Sequence, residues 1–190
     1  MPTLSRKKLE KIDWQIDSTW TLFLDRDGVI NQRIMEGYVR SIEEFQFLPQ
    51  VPEAIVHLSN FFGLVFVVTN QQGIAKGLMT ESNLQEIHSY MSGHIEKMGG
   101  RIAKCYYAPG IAGPENYLRK PKPGMALLAQ RQHKMVEFNK AVMIGDSDSD
   151  IVFGQNLGMK TVRIETLEPI KVEADVTVKS LFEFTQLLER

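Results

Sequence analysis

Short, continuously apolar runs alternate with amphipathic stretches along most of this chain. Six runs are predicted as strands, at residues 21–24, 64–68, 102–107, 141–144, 161–164 and 175–178. Helices are predicted between and after them, at residues 51–60, 80–98, 125–134, 148–157 and 181–188. An apolar run without polar alternation suits a strand that is buried on both faces of a parallel sheet. The pattern therefore predicts an α/β fold, a three-layer doubly wound parallel sheet with right-handed crossovers.

Length and composition favour one globular domain. The 190 residues are 43% hydrophobic and 24% charged, which is ordinary for a packed chain. We expect residues 21–190 to form a single domain and residues 1–20 to be an extension packed on its core, with a short helix from Ser5 to Ile12. The single cysteine, Cys105, excludes an internal disulfide and fits a reducing compartment.

Net charge and hydropathy limit the kinds of partner. The net charge of −1 predicts no basic surface for the phosphates of a nucleic acid. The longest apolar stretch, residues 61–68, is far shorter than the roughly 20 residues that span a bilayer. We therefore expect a cytoplasmic monomer that acts on a small molecule, with neither a nucleic acid nor a membrane as partner.

Polar residues stand directly after three of the predicted strands. Asp25 and Asp27 follow the first strand, Thr69 follows the second, and Asp146 follows the fourth. The carboxyl ends of parallel strands share one edge of the sheet, and doubly wound folds bind their ligands there. We therefore expect these residues to meet in one site although they are far apart in the sequence.

The residue types at this edge suit the hydrolysis of a phosphate ester. Asp25 can attack phosphorus as a carboxylate, and Asp27 can protonate the leaving oxygen and later take a proton from water. Mg²⁺ prefers hard oxygen ligands, and the predicted ligands are Asp25, Asp27 and Asp146. Thr69 offers a hydroxyl and a backbone amide to phosphoryl oxygens.

A lysine is needed to balance the charge of the phosphate, and two candidates lie in one loop. In an extended backbone Lys120 and Lys122 point to opposite faces, so one of them reaches the phosphate, and we favour Lys120. Asp150 follows Asp146 by one helical turn and is predicted to support the metal site from behind.

Four short motifs, each in a loop or at the end of a predicted strand, follow one another along the chain. They are Asp25-Arg26-Asp27-Gly28-Val29-Ile30, then Thr69-Asn70, then Arg119-Lys120-Pro121-Lys122-Pro123-Gly124-Met125, then Gly145-Asp146 with Asp150. With these motifs the chain resembles the haloacid dehalogenase (HAD) superfamily of phosphohydrolases from Leu22 to its end. The resemblance implies a Rossmann-like core, Mg²⁺ as cofactor and an aspartyl-phosphate on Asp25.

Longer phrases match one family within that superfamily. They cover residues 23–31, 37–39, 67–77, 106–107 and 119–125. These phrases resemble the D-glycero-D-manno-heptose 1,7-bisphosphate phosphatases, and the histidinol-phosphate phosphatases share the architecture. The resemblance implies that no large cap domain is present, that Lys120 stabilises the phosphoryl group and that Arg119 recognises the substrate. The other substrate-binding residues that it implies are Gly37, Tyr38, Asn70, Gln71 and Gln72.

The chain departs from both families at two places. Both typically carry a zinc-binding loop of cysteines and a histidine, but residues 108–118 contain neither residue type, so no structural zinc is predicted. Ser147 stands where the heptose enzymes often have a lysine, which removes a positive charge beside the metal site. Both departures bear on substrate choice.

Four other functions compete with hydrolysis of this particular sugar phosphate. A promiscuous sugar-phosphate phosphatase would share every motif. A phospho-aspartate signalling module lacks an acid two residues after its aspartate, so Asp27 argues against it. A phosphatase of nucleic-acid ends would need a basic stripe, and a dehalogenase would leave Asp27 without a task.

Overall fold

The computed structural model describes residues 12–167 and 169–188. Its six strands form one entirely parallel sheet in the order β3-β2-β1-β4-β5-β6. The strands are β1 Thr21–Leu24, β2 Leu64–Asn70, β3 Lys104–Ala108, β4 Ala141–Gly145, β5 Lys160–Ile164 and β6 Val176–Val178. The helices are α1 Val51–Phe61, α2 Glu81–Lys97, α3 Gly124–Gln132, α4 Asp148–Asn156 and α5 Leu181–Leu188, with a 3-10 turn at Phe138–Lys140. The predicted doubly wound α/β fold is confirmed.

Strand β1 lies at the centre of the sheet, between β2 and β4. Leu24, its last residue, pairs with Val67 on one side and with Ile144 on the other. The backbone amide of Asp25 donates to the carbonyl of Ile144 at 2.9 Å, so the chain stays in register one residue beyond the strand. The residues that follow these three strands therefore begin side by side at one edge of the sheet.

The central strands are buried on both faces, as their continuous apolar runs predict. Leu22 and Leu24 face a core that α1, α2 and α5 cover, whereas Phe23 faces the core beneath α3 and α4. The Phe23 and Phe66 rings meet in that second core, with their centroids 5.5 Å apart. This three-layer packing holds the strand ends rigidly, which a precise site requires.

A long excursion separates β1 from α1. Residues 25–50 contain only isolated bridges, and two of their backbone bonds return the chain on itself, from Gln32 to Gln46 at 2.8 Å and from Leu48 to Ile30 at 3.0 Å. The tip of the excursion, residues 33–38, thereby overhangs the carboxyl edge of the sheet. Loops of this kind form the walls of the site, and among the described residues no separate cap domain is inserted.

The structure describes the N-terminal region only from Ile12. Most of the predicted extension, with the helix expected from Ser5, lies outside the described residues. From Ile12 onward the chain lies against α5, where the backbone amide of Ile12 donates to Leu187 at 3.4 Å and the Trp14 ring lies 6.5 Å from that of Phe184. No helix in the described ranges is long and apolar enough to cross a membrane.

Candidate active site

The carboxyl ends of β1, β2 and β4 open into one cavity of about 500 Å³. Every residue predicted for the site except Gln71 lies on its walls, namely Asp25, Asp27, Gly37, Tyr38, Thr69, Asn70, Gln72, Arg119, Lys120 and Asp146. The structure therefore brings together residues that span more than a hundred positions of the sequence, because three parallel strands end at the same edge.

Lys120 is a buried cation at the floor of the cavity. Its Nζ lies 2.7 Å from Oδ1 of Asp25 and 2.6 Å from Oδ1 of Asp150, and it donates to the carbonyl of Val68 at 2.6 Å. Burial disfavours the ammonium form, but the carboxylates of Asp150 and Asp25 outweigh this effect and raise the pKa of Lys120. The lysine is therefore held charged beside Asp25.

The other candidate lysine points away from the cavity. Nζ of Lys122 donates to the carbonyls of Gly113 at 2.8 Å and Pro114 at 2.5 Å, which closes the loop before α3. The segment around it is a series of turns and not the extended backbone expected from the sequence, yet the two lysine side chains still point in different directions. The choice of Lys120 over Lys122 agrees with this geometry.

Asp25 sits in an environment that disfavours its charge. Burial raises its pKa to about 8; Lys120 opposes the rise, while the nearby Asp150 and Asp146 carboxylates add to it. Lys120 holds Oδ1 of this carboxyl group, and this bond fixes the orientation of the side chain at the end of β1.

Three carboxylates come together beside this lysine. One oxygen from each of Asp25, Asp146 and Asp150 lies within 4.8 Å of the others, and Lys120 is the ammonium group bonded within the cluster. When all three are ionised, their negative charges exceed the positive charges of Lys120 and of Arg33, whose guanidinium lies 3.5 Å from Asp146. A divalent cation would offset this excess, and carboxylate oxygens are the ligands that Mg²⁺ prefers. The cluster fits Mg²⁺ by charge and by ligand type.

The carboxylate of Asp27 lies outside this cluster, and its role as a metal ligand stays a prediction. Its carboxylate points to the fully buried Arg26, whose Nη2 lies 2.9 Å from Oδ1 and 3.0 Å from Oδ2. Asn31 donates to Oδ1 at 2.9 Å. The acidic cluster contains the carboxylate of Asp150, whereas the carboxylate of Asp27 is held by Arg26 and Asn31.

This pairing also sets the charge state of Asp27. Burial would raise its pKa, but the Arg26 guanidinium and the hydrogen bonds from Asn31, Arg26 and Gln71 outweigh burial and lower it. Asp27 is therefore held as an ionised carboxylate.

Two residues expected to touch the substrate make hydrogen bonds that position other residues of the site. Gln71 is fully buried, and its Nε2 donates to Oδ2 of Asp27 at 2.8 Å and to Oγ1 of Thr69 at 2.9 Å. Asn70 reaches the cavity wall but also brackets the backbone of Lys120, accepting from its amide at 3.0 Å and donating to its carbonyl at 3.3 Å. Gln71 is thus not a wall residue, because the chain turns inward where its amide bonds to Ala108.

Two glycines allow the carboxylates to approach the backbone. Gly28 has a φ of +92°, and a Cβ there would overlap the carboxylate of Asp146. A Cβ on Gly145 would overlap the side chain of Asp150. Larger residues at either position would displace a member of the acidic cluster.

Ser147 has a structural task at the start of α4. Oδ2 of Asp150 accepts from the Ser147 amide at 3.1 Å and from its Oγ at 2.6 Å, which leaves Oδ1 facing Lys120. On the outer side, the buried Arg163 donates to the carbonyl of Asp146 at 3.1 Å and to Oδ1 of Asp148 at 2.7 Å. The loop that carries Asp146 is therefore fixed on both sides.

The mouth of the cavity is cationic and partly apolar. Nη1 of Arg119 is buried and makes no hydrogen bond within the described part of the chain. Lys76 lies 5.5 Å from the centre of the Tyr38 ring and donates to its hydroxyl at 3.1 Å. Arg33 reaches in from the excursion, with Nη1 3.5 Å from Oδ2 of Asp146.

Sequence reasoning missed the cations Arg26, Arg33 and Lys76. Arg26 stands between the two aspartates of the first motif, and a charged residue inside a motif at a buried strand end was a signal for a buried ion pair. No comparable signal marks Arg33, because only the folding back of residues 25–50 brings it over the site.

Comparisons with known proteins agree with the fold and with the class of enzyme. A HAD-hydrolase-like family model matches residues 117–167. A D-glycero-beta-D-manno-heptose-1,7-bisphosphate 7-phosphatase from Pasteurella multocida is 34% identical over 179 residues, covering 88% of this chain and 96% of that protein. A D-glycero-alpha-D-manno-heptose-1,7-bisphosphate 7-phosphatase from Mycobacterium bovis is 36% identical over 138 residues, 73% of each chain.

A solved structure gives the same result. The crystal structure of D,D-heptose 1,7-bisphosphate phosphatase from B. bronchiseptica, complexed with magnesium and phosphate, superposes with a TM-score of 0.79 at 27% identity, covering 89% of this chain and 97% of that chain. The fold and its acidic edge thus define a phosphoric monoester hydrolase of the HAD class. Within that class, the chain belongs to the family of the heptose-1,7-bisphosphate 7-phosphatases.

Proposed function

We propose that this enzyme removes one phosphate from D-glycero-D-manno-heptose 1,7-bisphosphate through a covalent aspartyl-phosphate on Asp25. The observation that carries the chemistry is the buried contact between Lys120 and Asp25, at 2.7 Å, on the floor of a cavity edged by further carboxylates. The substrate follows from the family. Its relatives act on the alpha or the beta anomer, so the anomer is an outcome of the test below.

Asp25, Asp146 and Asp150 would hold Mg²⁺, as their charge and spacing allow. When bound, the ion neutralises phosphoryl oxygens and lets Asp25 ionise despite its neighbours. Lys120 is the chain's own contribution to the same charge balance.

In the first half-reaction, a carboxylate oxygen of Asp25 attacks phosphorus and the bond from phosphorus to the sugar oxygen breaks. Lys120 holds Oδ1, so Oδ2 is the attacking atom. The Thr69 hydroxyl donates to a phosphoryl oxygen. Asp27, ionised in the resting enzyme, first takes a proton from the phosphate monoanion of the substrate or from solvent, and then passes it to the leaving sugar oxygen. The incoming phosphate favours that proton on Asp27, because a nearby anion raises a carboxyl pKa.

In the second half-reaction, water attacks the phosphorus of the aspartyl-phosphate and the bond to Asp25 breaks. Asp27 takes the proton from this water. The lowered pKa of Asp27 keeps it ionised between substrates, which suits it to act as the base in this step.

The mouth of the cavity supports a substrate with a second phosphate. Arg119, Arg33 and Lys76 all line it, in addition to the lysine at its floor. Arginine binds phosphate in a bidentate manner, and the buried Nη1 of Arg119 would gain a partner from it. The Tyr38 ring, packed on Gly73, offers a flat surface to the sugar.

Steady-state phosphate release with Mg²⁺ and no added zinc tests the proposal. Both anomers of the heptose bisphosphate should be compared with histidinol phosphate and fructose 1,6-bisphosphate. We expect one heptose anomer to exceed the rest in kcat/KM by at least about 10²-fold, or about 2.7 kcal/mol of transition-state discrimination. Comparable low rates on all four substrates would contradict the proposed substrate and leave a promiscuous phosphatase.

We also infer a cytoplasmic monomer that acts on small molecules and not on nucleic acids. The single cysteine and the net charge of −1 support this inference. Size-exclusion chromatography with light scattering, and binding to DNA ends at low salt, would test it.

A further inference from the structure

Gln71 lies directly behind the cavity and takes no part in its wall. It is fully buried one residue after β2, and its backbone amide donates to Ala108 at the end of β3 at 2.8 Å. The backbone at the base of this side chain is therefore fixed, and the side-chain amide donates to two residues of the proposed site.

The side-chain amide of Gln71 makes two hydrogen bonds with the proposed catalytic groups. Nε2 lies 2.8 Å from Oδ2 of Asp27 and 2.9 Å from Oγ1 of Thr69. The assignment of nitrogen to this side is required chemically, because an ionised carboxylate only accepts hydrogen bonds. An amide nitrogen carries two hydrogens, so each of the two partners takes one.

This arrangement directs the hydroxyl hydrogen of Thr69. A hydroxyl group has one hydrogen and two lone pairs, and Gln71 occupies a lone pair of Oγ1. Oγ1 of Thr69 donates to no acceptor among the described residues, and Thr69 lines the cavity. The hydrogen is therefore free to point at a phosphoryl oxygen.

The same amide fixes one face of Asp27. Arg26 and Asn31 hold this carboxylate from other directions, and Gln71 holds Oδ2 from the side of β2. Oε1 of Gln71 is buried without a partner, a cost that an apolar side chain of the same length would avoid. The amide at this position therefore contributes through the two hydrogen bonds that its nitrogen donates, to Asp27 and to Thr69.

We infer that Gln71 is a positioning residue, whose single buried amide ties the phosphate clamp on Thr69 to the acid–base group on Asp27. The inference rests on the roles proposed above for those two residues. Both groups meet the same phosphate from two different strands, and Gln71 sets their separation in the resting enzyme.

The first test is Gln71→Met, which keeps the length of the side chain and removes both donors. Misplacing catalytic groups by about 1 Å can cost about 10²-fold in rate. We expect kcat to fall by roughly that factor while KM changes less than about threefold. The matched control is Gln130→Met on helix α3. It removes the hydrogen bond from the Gln130 side-chain amide to the carbonyl of Val136, away from the site, and should leave kcat unchanged.

The second test is a double-mutant cycle with Thr69→Val, measured on p-nitrophenyl phosphate as well as on the heptose bisphosphate. If Gln71 acts through Thr69, adding Gln71→Met to the Thr69→Val variant should lower kcat by less than a further tenfold, because the Thr69 hydroxyl is already absent. Full additivity, or a kcat for Gln71→Met within threefold of the wild type, would overturn the inference. Should Gln71→Met fail to fold, Gln71→Asn keeps a buried amide but withdraws it from both partners, and the same kcat loss is expected.

Failure of the proposed function looks different. In that case Asp27→Asn and Thr69→Val would themselves leave p-nitrophenyl phosphate turnover unchanged. Loss of activity in those two variants together with an unaffected Gln71→Met would remove the positioning role alone.

Discussion

Asp25 and Asp27 are two residues apart on one strand end, yet their surroundings drive them to opposite states. Burial beside Asp150 and Asp146 raises the pKa of Asp25 to about 8 in spite of Lys120. The Arg26 guanidinium, with further hydrogen bonds, overcomes burial and lowers the pKa of Asp27. Asp25 thus lies in the acidic half of the site, with Asp146, Asp150 and Lys120, where a cation is required. Asp27 lies in the balanced half, where Arg26 already matches its charge.

The difference shows how one motif supplies two chemical roles. A carboxylate in an excess of negative charge gains most from a metal ion, which leaves it ionised and ready to attack phosphorus. A carboxylate matched by a fixed guanidinium needs no ion and can exchange protons with the leaving group and with water. When two carboxyl groups have environments that separate their pKa values, the separation is a guide to their roles.

The largest effect is expected from Asp25→Asn. The amide cannot form the phospho-enzyme, so kcat should fall by at least about 10⁴-fold. Rapid quenching after mixing with radiolabelled substrate should trap an acid-stable phospho-protein in the wild type and none in the variant. Asp17→Asn, on an exposed turn where Asp17 bonds to Thr19, is the control and should keep full activity. Labelled phospho-protein in Asp25→Asn would contradict the assignment.

Arg26→Met should break the balanced half of the site. Arg26 is fully buried and Asp27 is half-buried, so the loss of the guanidinium should lower the free energy of unfolding by up to the roughly 3–5 kcal/mol of a fully buried pair. Asp27 in the wild type contributes stability above its unfolded pKa near 3.9 and loses it as the pH falls through the lowered folded value. The difference in the free energy of unfolding between the wild type and Arg26→Met, measured by urea denaturation, should therefore shrink as the pH approaches 3.

The control for Arg26→Met is Arg40→Met. Arg40 pairs with Glu44 at 2.7 Å, but both side chains are partly exposed, so the loss should stay within about 1 kcal/mol. Equal losses for the two variants would mean that the Arg26–Asp27 pair is no stronger than a surface pair.

A parallel sheet, the succession of strands and helices along the chain, and the meeting of Asp25, Thr69 and Asp146 were predictable from the sequence. These three residues follow strands whose ends are marked by apolar runs, whereas Lys120 lies in a loop and was favoured by the charge that a phosphate needs and by its motif. The boundaries differ slightly: β3 begins at Lys104 and not at residue 102, and α3 ends at Gln132 and not at residue 134.

The direction of side chains within the site was not predictable in the same way. Asp27 points to Arg26 and Gln71 points inward, because those contacts depend on local backbone turns and on competition between partners. Arg33 enters the site only through the folded excursion before α1, whose path no periodic pattern records. Motifs therefore located the residues, and the structure assigned their contacts.

Magnesium should act on the acidic half alone. At concentrations about 100 times its Kd, Mg²⁺ should raise the free energy of unfolding by about 2.7 kcal/mol. Asp25 without metal has a folded pKa near 8, so at pH 7 it carries a proton that binding of the ion must release. Calorimetry in two buffers of different ionisation enthalpy should find about one proton released at pH 7.

The apparent affinity for Mg²⁺ should also rise with pH until about pH 8 and then level off. Asp150→Asn, which removes one carboxylate of the cluster, should weaken binding by at least about tenfold. A proton count near zero at pH 7 would show that Asp25 is already ionised in the metal-free protein, and the contrast with Asp27 would then be lost.

The smallest expected effect concerns His88, whose pKa is influenced by the charges of Arg26 and Asp27. It is buried on α2 with neither ring nitrogen hydrogen-bonded in the described structure, and its ring lies 6.2 Å from that of Tyr107. Burial, and after it the charge of Arg26, lower its pKa to about 3, with Asp27 opposing. The folded protein therefore keeps His88 neutral at any pH above about 3.

In the unfolded chain His88 takes up a proton below its ordinary pKa of about 6.5. Between that pH and about 3 the unfolded state binds one more proton than the folded state, so this residue lowers stability as the pH falls, by about 1.4 kcal/mol per unit. Between pH 7 and pH 5, the free energy of unfolding measured in urea should thus fall by about 2 kcal/mol more in the wild type than in His88→Phe. His88→Gln should show the same pH dependence as His88→Phe although the two side chains pack differently, because neither titrates. If the free energy of unfolding fell equally with pH in the wild type and in both variants, burial and the charge of Arg26 would not be keeping the imidazole of His88 neutral.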